Sequence, residues 1–291
     1  MQAFELSEPR SLQEALALLA NDEASVHPAG GCTALMLMMK SGLLQPTQLV
    51  SLRRIEPRYA SIDARPGEVR IGATCTLAGI EHSPLVQREL PVVSRTLRTL
   101  ANVRVRNVAT LGGNLAHADP HMDLPPLLAA LGAMVSIASR GGERTLAVED
   151  LIGGYYQTRL EPGELITEVR IPTRLARRAV YRKVTARSAD DWPTLGIAVA
   201  LDIAGNAVCE AHLVASAAFD RPTRLPAAEQ VLCAGPVSES GIASAADAAA
   251  AEVQPIADAH GSAAYKRELL RVHLRRALRQ VLGLQTEAAG A

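Results

Sequence analysis

The period of the apolar positions changes along the chain, and each period predicts a different kind of element. Ser11 stands three residues before Glu14, which is capping-box spacing, and a helical apolar stripe follows it. This pattern predicts a first helix that begins near Ser11. Segment 25–42 predicts a short strand, a turn with paired glycines and a helix. Two further segments are helical in composition and spacing, namely 84–101 and 123–131.

Alternating or β-branched runs predict strands between these helices. Segments 59–73 and 133–148 predict hairpins that fold around Pro66–Gly67 and Gly141–Gly142. A last strand in segment 165–172 precedes a basic stretch that is typical of a boundary between domains. About the first 175 residues therefore predict an α+β domain.

The second half predicts a smaller domain. Segment 194–217 is strand-like on both sides of a turn at Gly205–Asn206. An Ala-rich helical region follows, and it ends in the long helical pattern of segment 265–282. We therefore expect a small sheet backed by helices.

Composition narrows the function classes. The length of 291 residues favours about two domains. Thirty basic residues balance thirty acidic ones, which argues against a nucleic-acid partner or an anionic membrane surface. The four cysteines form no CxxC pair, as is typical of free thiols in a reducing cytoplasm. Because no stretch of about 18 residues is both apolar and uncharged, we expect neither export nor a membrane span.

Two glycine pairs, Gly30–Gly31 and Gly112–Gly113, are candidate anion-binding turns. Glycine permits positive φ and has no Cβ, so successive backbone N–H groups can converge on a phosphate. A following helix adds its unpaired N–H groups and its dipole. Neither pair belongs to a P-loop or a GxGxxG motif, and a Gly-Gly pair alone is more often only a tight connection.

A run of alternating histidines and aspartates offers a second candidate chemistry. In an extended segment, His117, Asp119, His121 and Asp123 would share one face and form a zinc or iron site of a metal-dependent hydrolase. The neighbouring prolines break strand geometry, and the other histidines show no ligand-like pairing, which makes this reading the weaker one. A simpler role for Asp123 is the N-cap of the helix that follows.

Four segments resemble, in order and spacing, the FAD-binding subunit of molybdenum hydroxylases, the family of carbon monoxide dehydrogenase medium subunits and of the flavin segment of xanthine dehydrogenase. They are 28–52, 106–133, 153–172 and 181–201. The resemblance implies a two-subdomain FAD-binding domain of the vanillyl-alcohol-oxidase (PCMH) type over 1–176, divided into about 1–56 and 57–176. It also implies a small α+β C-terminal domain with a three-stranded sheet over 177–291, with the flavin between the two domains.

The resemblance also implies which residues contact FAD. The family's first pyrophosphate loop falls on Ala29, Gly30, Gly31, Cys32 and Thr33, and its second on Thr110, Leu111, Gly112, Gly113 and Asn114. Its remaining flavin-contacting positions fall on Asp123, Leu160 and Lys183. Lys183 would stabilise negative charge on reduced flavin, and a nearby aromatic residue would pack on the ring, the candidates being Tyr155, Tyr156 and Trp192.

The chain departs from the family pattern in two places. Cys32–Thr33 replaces residues that are usually Thr, His or Gln and then Ser or Asp, and no arginine pair follows Lys183. The cysteine-rich loop that carries a [4Fe–4S] cluster in some members is absent from the sequence. We therefore expect FAD to be the only redox centre of this chain, with no bound metal.

The implied function is electron transfer. A large molybdopterin-binding subunit would hydroxylate a substrate, a small subunit with [2Fe–2S] clusters would relay electrons, and FAD would pass them to NAD, a quinone or O2. We expect a cytoplasmic dimer of heterotrimers. The alternatives are a stand-alone FAD oxidoreductase, a metal-dependent hydrolase that uses the His117–Asp123 run, and a flavin-free assembly subunit.

Overall fold

The computed structural model describes residues 2–20 and 25–284. The chain divides into two compact units. Unit 1 comprises Met1–Ala118 and Ala133–Pro172, and unit 2 comprises Asp119–Gly132 and Thr173–Ala291.

Strands and helices alternate over residues 5–51, and further along the chain they come mostly in runs of one kind. The strands are β1 (Glu5–Ser7), β2 (Val26–Ala29), β3 (Gln48–Ser51), β4 (Ile62–Arg65), β5 (Glu68–Gly72), β6 (Met134–Ser139), β7 (Gly142–Ala147), β8 (Ile152–Gly154), β9 (Gln157–Thr158), β10 (Leu165–Pro172), β11 (Arg177–Val184), β12 (Leu195–Ala204), β13 (Ala207–Ser216) and β14 (Thr223–Arg224). The helices are α1 (Leu12–Leu19), α2 (Thr33–Lys40), α3 (Leu77–His82), α4 (Pro84–Glu89), α5 (Pro91–Arg98), α6 (Val103–Arg106), α7 (Leu111–His117), α8 (Leu124–Ala130), α9 (Val148–Leu151), α10 (Pro226–Cys233), α11 (Glu239–Glu252) and α12 (Ala263–Leu282). A 3₁₀ turn spans Pro57–Ala60.

Helix α1 begins where its capping residue predicts. The Ser11 side chain accepts a hydrogen bond from the Glu14 N–H at 3.1 Å, and the Glu14 carboxylate accepts one from the Arg10 N–H at 2.8 Å. These contacts satisfy N–H groups at the start of the helix, which have no partner within it. The prediction of a first helix near Ser11 is confirmed.

Unit 1 contains a small parallel sheet and a larger antiparallel one. In the first sheet, β3 lies between β1 and β2 and is parallel to both. The second has the order β4-β5-β10-β6-β7. Its two hairpins, which turn at Pro66–Gly67 and between Ser139 and Gly142, confirm the predicted strand pairs. Gly67 has a φ of 79°, a value that glycine adopts without a steric penalty.

Unit 2 is built on an antiparallel sheet with the order β11-β12-β13-β14. Three long strands form most of it, because β14 has only two residues. The predicted turn at Gly205–Asn206 joins β12 to β13. Helix α10 packs on β13, α12 packs on β11 and β12, and α11 packs on α10 and α12. Their shared core includes Ile197, Val199, Leu201, Leu213, Leu270, Leu274 and Leu278.

Helix α8 belongs to unit 2, although unit 1 segments flank it in sequence. All seven of its residues are buried, and it packs on β12 and β13. The chain therefore leaves unit 1 at Ala118 and returns to it at Ala133. This excursion brings Asp123, at the start of α8, beside β11.

None of the helices in residues 2–20 and 25–284 is long and apolar enough to cross a membrane.

Candidate functional site

In unit 1, the first glycine pair packs against the segment that leads into the second pair. A Cβ added to Gly30 would stand 2.8 Å from the Thr110 hydroxyl oxygen. A Cβ added to Gly31 would stand 2.1 Å from the Val108 carbonyl oxygen and 2.6 Å from the Ala109 Cα. Segment 29–33 thus packs directly on segment 108–110, and the absence of a side chain permits this approach.

The four glycines of these turns adopt ordinary backbone conformations. Gly30, Gly31, Gly112 and Gly113 all lie outside the positive-φ region, so these turns do not depend on the positive φ that glycine permits. The left-handed residue in this loop is Cys32, with a φ of 58°. Close packing, and not backbone conformation, therefore requires glycine at these positions.

Backbone donors are concentrated in the first of the two turns. The N–H groups of Gly30, Gly31 and Cys32 have no acceptor among the residues that the structure describes. Cys32 is the N-cap of α2, and no side chain caps that helix. Three successive unpaired N–H groups beside the positive end of an eight-residue helix form a suitable site for an anion.

The Cys32 thiol does not oppose an anion here. Burial raises its pKa above the usual value of 9.0, although Arg53 has a lowering effect. The thiol is therefore neutral at physiological pH. Its sulfur lies 3.7 Å from the Gly30 carbonyl oxygen, and this contact uses the thiol within the loop.

The second turn has its amides occupied. The N–H groups of Leu111 and Gly112 donate to the carbonyl oxygens of Cys75 at 3.0 Å and Ala73 at 2.8 Å. The Gly113 N–H donates to the Thr110 hydroxyl at 3.2 Å. The Asn114 N–H donates to the Thr110 carbonyl oxygen at 2.9 Å. Segment 110–114 is thus a packed wall beside the unpaired N–H groups of residues 30–32. It does not supply the second set of free amides that its glycines suggested.

A carboxylate with two donors lies in unit 2. The Tyr181 hydroxyl donates to Asp123 Oδ1 at 2.7 Å, and Lys183 Nζ lies 3.1 Å from Asp123 Oδ2. The side chains of Asp123 and Lys183 are only 4% and 8% exposed. Residues 181 and 183 alternate along β11 and therefore share the face of the sheet that meets the start of α8.

The absence of a side chain at Gly196 leaves the space that the Tyr181 hydroxyl occupies. Gly196 pairs with Lys183 across the sheet, and a Cβ at this position would lie 2.5 Å from the Tyr181 hydroxyl oxygen. Any other residue there would displace the phenol from Asp123. Sequence reasoning missed both Tyr181 and Gly196; the usable signal was the two-residue spacing between Tyr181 and Lys183, which places both side chains on one face.

Burial and charge oppose each other at this carboxylate. Burial raises the pKa of Asp123, while Lys183 and the Tyr181 hydroxyl lower it. Burial, and then the neighbouring Asp123, raise the pKa of Tyr181 well above its usual value of 10.0, so the phenol stays protonated and acts as the donor. Asp123 occupies the N-cap position of α8, but its side chain makes no capping hydrogen bond, so the simple capping role is wrong.

The His/Asp run does not form an extended segment. His117 ends α7 in unit 1, and Asp119 and His121 follow in a turn of unit 2, where Asp119 Oδ1 lies 3.0 Å from His121 Nδ1. Because Asp123 is held by Tyr181 and Lys183, the four side chains do not line one face. Within the described residues, no group of three or more His, Cys, Asp or Glu is arranged to hold a metal ion.

The remaining candidates lie on the surface or near it. Leu160 is half-buried after β9, and its N–H donates to the Thr158 hydroxyl at 3.4 Å. The Tyr156 ring makes an edge contact with His117, and the Trp192 ring stacks on His121 with 5.3 Å between centroids. Trp192 is nevertheless 56% exposed, which leaves one face of the indole open.

Known proteins match nearly the whole chain. Residues 2–174 match the model of the FAD binding domain in molybdopterin dehydrogenase, and residues 179–281 match the CO dehydrogenase flavoprotein C-terminal domain. The nicotine 6-hydroxylase medium subunit of Paenarthrobacter nicotinovorans is 34% identical over 96% of this chain and 97% of its own length. The carbon monoxide dehydrogenase medium chain of Afipia carboxidovorans is 31% identical over 95% of this chain and 96% of its own length.

A solved structure agrees with these matches. Carbon monoxide dehydrogenase from Hydrogenophaga pseudoflava, in a form that lacks the Mo-pyranopterin moiety of its cofactor, contains a chain that superimposes with a TM-score of 0.93 at 31% identity, covering 98% of this chain and 99% of that one. The predicted fold class is thereby confirmed: a PCMH-type FAD-binding domain followed by a small α+β domain. The cofactor is FAD, and the chain is part of an oxidoreductase. It belongs to the family of FAD-binding medium subunits of molybdenum hydroxylases.

Proposed function

We propose that this chain passes electrons from the [2Fe–2S] clusters of a small partner subunit, through FAD, to an external acceptor. The observation that carries this proposal is the donor loop of residues 30–32, whose unpaired N–H groups and uncapped helix suit a pyrophosphate. Because this loop lies within the residues that match the FAD binding domain, we infer that the pyrophosphate is that of FAD.

The residues present fit FAD. Ala29, Gly30, Gly31, Cys32 and Thr33 would hold the pyrophosphate, because Gly30 and Gly31 leave their amides open and a Cβ on either would intrude into the neighbouring segment. Thr110, Leu111, Gly112, Gly113 and Asn114 would form the adjoining wall. When bound, FAD supplies a redox centre that accepts electrons singly and releases them in pairs.

Asp123 and Lys183 would supply the charged groups of the flavin site, and Leu160 would supply an apolar contact. Lys183 keeps a fixed ammonium because Asp123 binds it, and Tyr181 fixes Asp123 in turn. An ammonium with a fixed position stabilises negative charge without reorganisation. We assign the flavin-binding domain to residues 1–176, in subdomains of about 1–56 and 57–176, and the C-terminal domain to residues 177–291.

The partners in this proposal are a large molybdopterin-binding subunit and a small [2Fe–2S] subunit, assembled as a dimer of heterotrimers. The names of the relatives support it, because several are medium chains of dehydrogenases or hydroxylases. The acceptor is NAD, a quinone or O2, and the complex is cytoplasmic. The hydroxylated substrate would bind to the large subunit, so this chain's residues do not select it.

The visible absorption spectrum of the purified full-length chain tests the proposal, together with the supernatant after heat denaturation and a metal analysis. We expect about one released FAD per chain and no stoichiometric zinc or iron. No flavin after incubation with FAD would overturn the proposed function.

A second measurement separates electron transfer from a stand-alone oxidoreductase. A tagged full-length chain purified from its own organism should bring down a molybdenum-containing large chain and an iron–sulfur small chain. If the chain is isolated alone, carries FAD and oxidises an organic substrate without partners, the stand-alone reading replaces the complex.

A further inference from the structure

A buried ion pair joins helices α3 and α6 within unit 1. Arg106 Nε donates to Glu81 Oε2 at 2.9 Å, and the two side chains are only 12% and 8% exposed. Arg106 Nη1 also donates to the carbonyl oxygens of Leu100 at 3.2 Å and Ala101 at 2.6 Å. One guanidinium therefore binds both α3 and the segment that leads into α6.

Stability alone is a weak reason for such a pair. Removing two charges from water offsets much of their mutual attraction, and apolar side chains of similar size often stabilise a core equally well. A guanidinium differs from apolar groups because its N–H groups point in fixed directions. Its three acceptors here lie on two different segments, and one of them belongs to Ala101, which has a left-handed φ of 49°. The pair therefore fixes the position of the backbone around α6.

Helix α3 also holds the segment that follows Arg106. The Leu77 N–H, in the first turn of α3, donates to the Ala109 carbonyl oxygen at 2.9 Å. The Leu111 N–H donates to the Cys75 carbonyl oxygen, just before α3, at 3.0 Å. Because α3 is a single helix, the ion pair at its end and these bonds at its start fix segment 106–111 at two points.

The donor loop packs on this same segment. A Cβ added to Gly31 would stand 2.1 Å from the Val108 carbonyl oxygen and 2.6 Å from the Ala109 Cα, so no free space separates the two backbones. Close-packed interiors transmit small displacements. Any shift of Val108 or Ala109 therefore moves the unpaired N–H groups of residues 30–32.

We propose that Arg106 and Glu81 are positioning residues for the pyrophosphate of FAD. Their ion pair holds segment 108–109 where it aligns the three N–H groups of the donor loop. The inference rests on the proposed function, since it takes this loop as the pyrophosphate site. Hydrogen bonds weaken steeply as their distance and angle change, so a small displacement of three donors lowers the affinity for FAD.

Glu81→Gln tests the proposal in the full-length chain. This variant keeps the size of the side chain and removes the charge that pairs with Arg106. FAD is titrated into the deflavinated protein, and urea unfolding of the same samples reports stability. We expect at least about tenfold weaker binding of FAD, which corresponds to the loss of one hydrogen bond to an anion.

The matched control is Glu229→Gln in unit 2. Glu229 is also buried, and its Oε1 accepts from Arg224 Nε at 3.0 Å and from the Leu213 N–H at 2.8 Å. This variant should lose stability but change the affinity for FAD less than about twofold. Equal losses of affinity in Glu81→Gln and Glu229→Gln would mean that both act only through stability, and this would overturn the proposal.

A double-mutant cycle with Gly31→Ala shows whether the ion pair acts through the donor loop. Gly31→Ala already displaces the loop, which leaves less for Glu81→Gln to disturb. The combined loss of affinity should therefore be at least about threefold smaller than the product of the two single losses. Losses that multiply would show independent effects and would contradict the positioning role.

Arg106→Lys gives a second variant that keeps the charge beside Glu81 but loses the bonds to the two backbone carbonyls. In the ¹⁵N-labelled chain without FAD, the N–H resonances of the donor loop should shift in this variant and stay unchanged in Glu229→Gln. Unchanged resonances in Arg106→Lys would refute the positioning role. Because this readout needs no cofactor, it is separate from the proposed function, which fails if the unmodified chain does not bind FAD.

Discussion

The substitution Gly31→Ala tests the packing of the donor loop. Its new Cβ would lie 2.1 Å from the Val108 carbonyl oxygen and 2.6 Å from the Ala109 Cα. Both are backbone atoms, so no side-chain rotation relieves the contact and the two segments must separate. Overpacking of this kind costs about 1–3 kcal/mol of unfolding free energy.

The separation also moves the N–H groups of Gly30, Gly31 and Cys32. A hydrogen bond to a charged group is worth about 1.5–3 kcal/mol, so the loss of one such bond to a pyrophosphate weakens binding at least about tenfold. We expect Gly30→Ala to have a smaller effect, because its Cβ meets the Thr110 hydroxyl at 2.8 Å, and that side chain can rotate.

The matched control is Gly153→Ala, where the nearest heavy atom would be 3.8 Å from the new Cβ. The assay titrates FAD into the deflavinated full-length chain and follows flavin fluorescence, and urea unfolding of the same samples reports stability. We expect the losses to follow the order Gly31→Ala, Gly30→Ala, Gly153→Ala. If Gly31→Ala binds FAD within about twofold of the unmodified chain, the donor loop is not the pyrophosphate site.

Three further predictions concern single contacts, each measured by urea unfolding. Cys32→Gly should raise the unfolding free energy by up to about 1 kcal/mol, because glycine removes the left-handed strain at a φ of 58° but loses more chain entropy; a clear loss would contradict this. Tyr181→Phe should cost about 1.5–3 kcal/mol, because the buried Asp123 loses a donor, and a cost below about 0.5 kcal/mol would show that the hydroxyl does not matter. Asp258→Ala should cost about 3 kcal/mol, because it leaves the fully buried Lys266 ammonium without its carboxylate, whereas Lys266→Met should cost less than about 1 kcal/mol; equal costs would refute the argument. Burial raises the pKa of Asp258, but Lys266 and the His260 N–H hold it below 3.8, so the stabilisation is present above this pH and is lost as the pH falls below it.

Much of the secondary structure could be read from local signals. The turns at Pro66–Gly67 and Gly205–Asn206 lie where glycine at positive φ reverses the chain, and Ser11 begins α1 through its own hydroxyl. These signals are carried by neighbouring residues, so one sequence contains them. The two glycine pairs could also be found from the sequence, because each is a dipeptide beside a predicted helix or loop.

The partners of Asp123 could not be read in this way. The side chain lies at the start of a helix, where capping is the local expectation. It binds instead to Tyr181 and Lys183, which lie far along the chain and reach it because α8 packs on the sheet of unit 2. Gly196 is equally non-local, since its role depends on the register that places it opposite Lys183.

The two glycine pairs show why identical dipeptides need not have identical roles. In the first pair, the missing side chains let the loop pack closely while its amides stay unpaired. In the second pair, the Gly112 amide is already bonded to Ala73, and a Cβ on Gly112 would lie 2.8 Å from the Ala73 Cβ. Substitutions at Gly112 should therefore weaken FAD binding by shifting segment 110–114. Substitutions at Gly31 should weaken it by moving the N–H groups that bind the pyrophosphate. Ligand affinity and stability should consequently fall together at Gly112, whereas at Gly31 the loss of affinity should exceed the loss of stability.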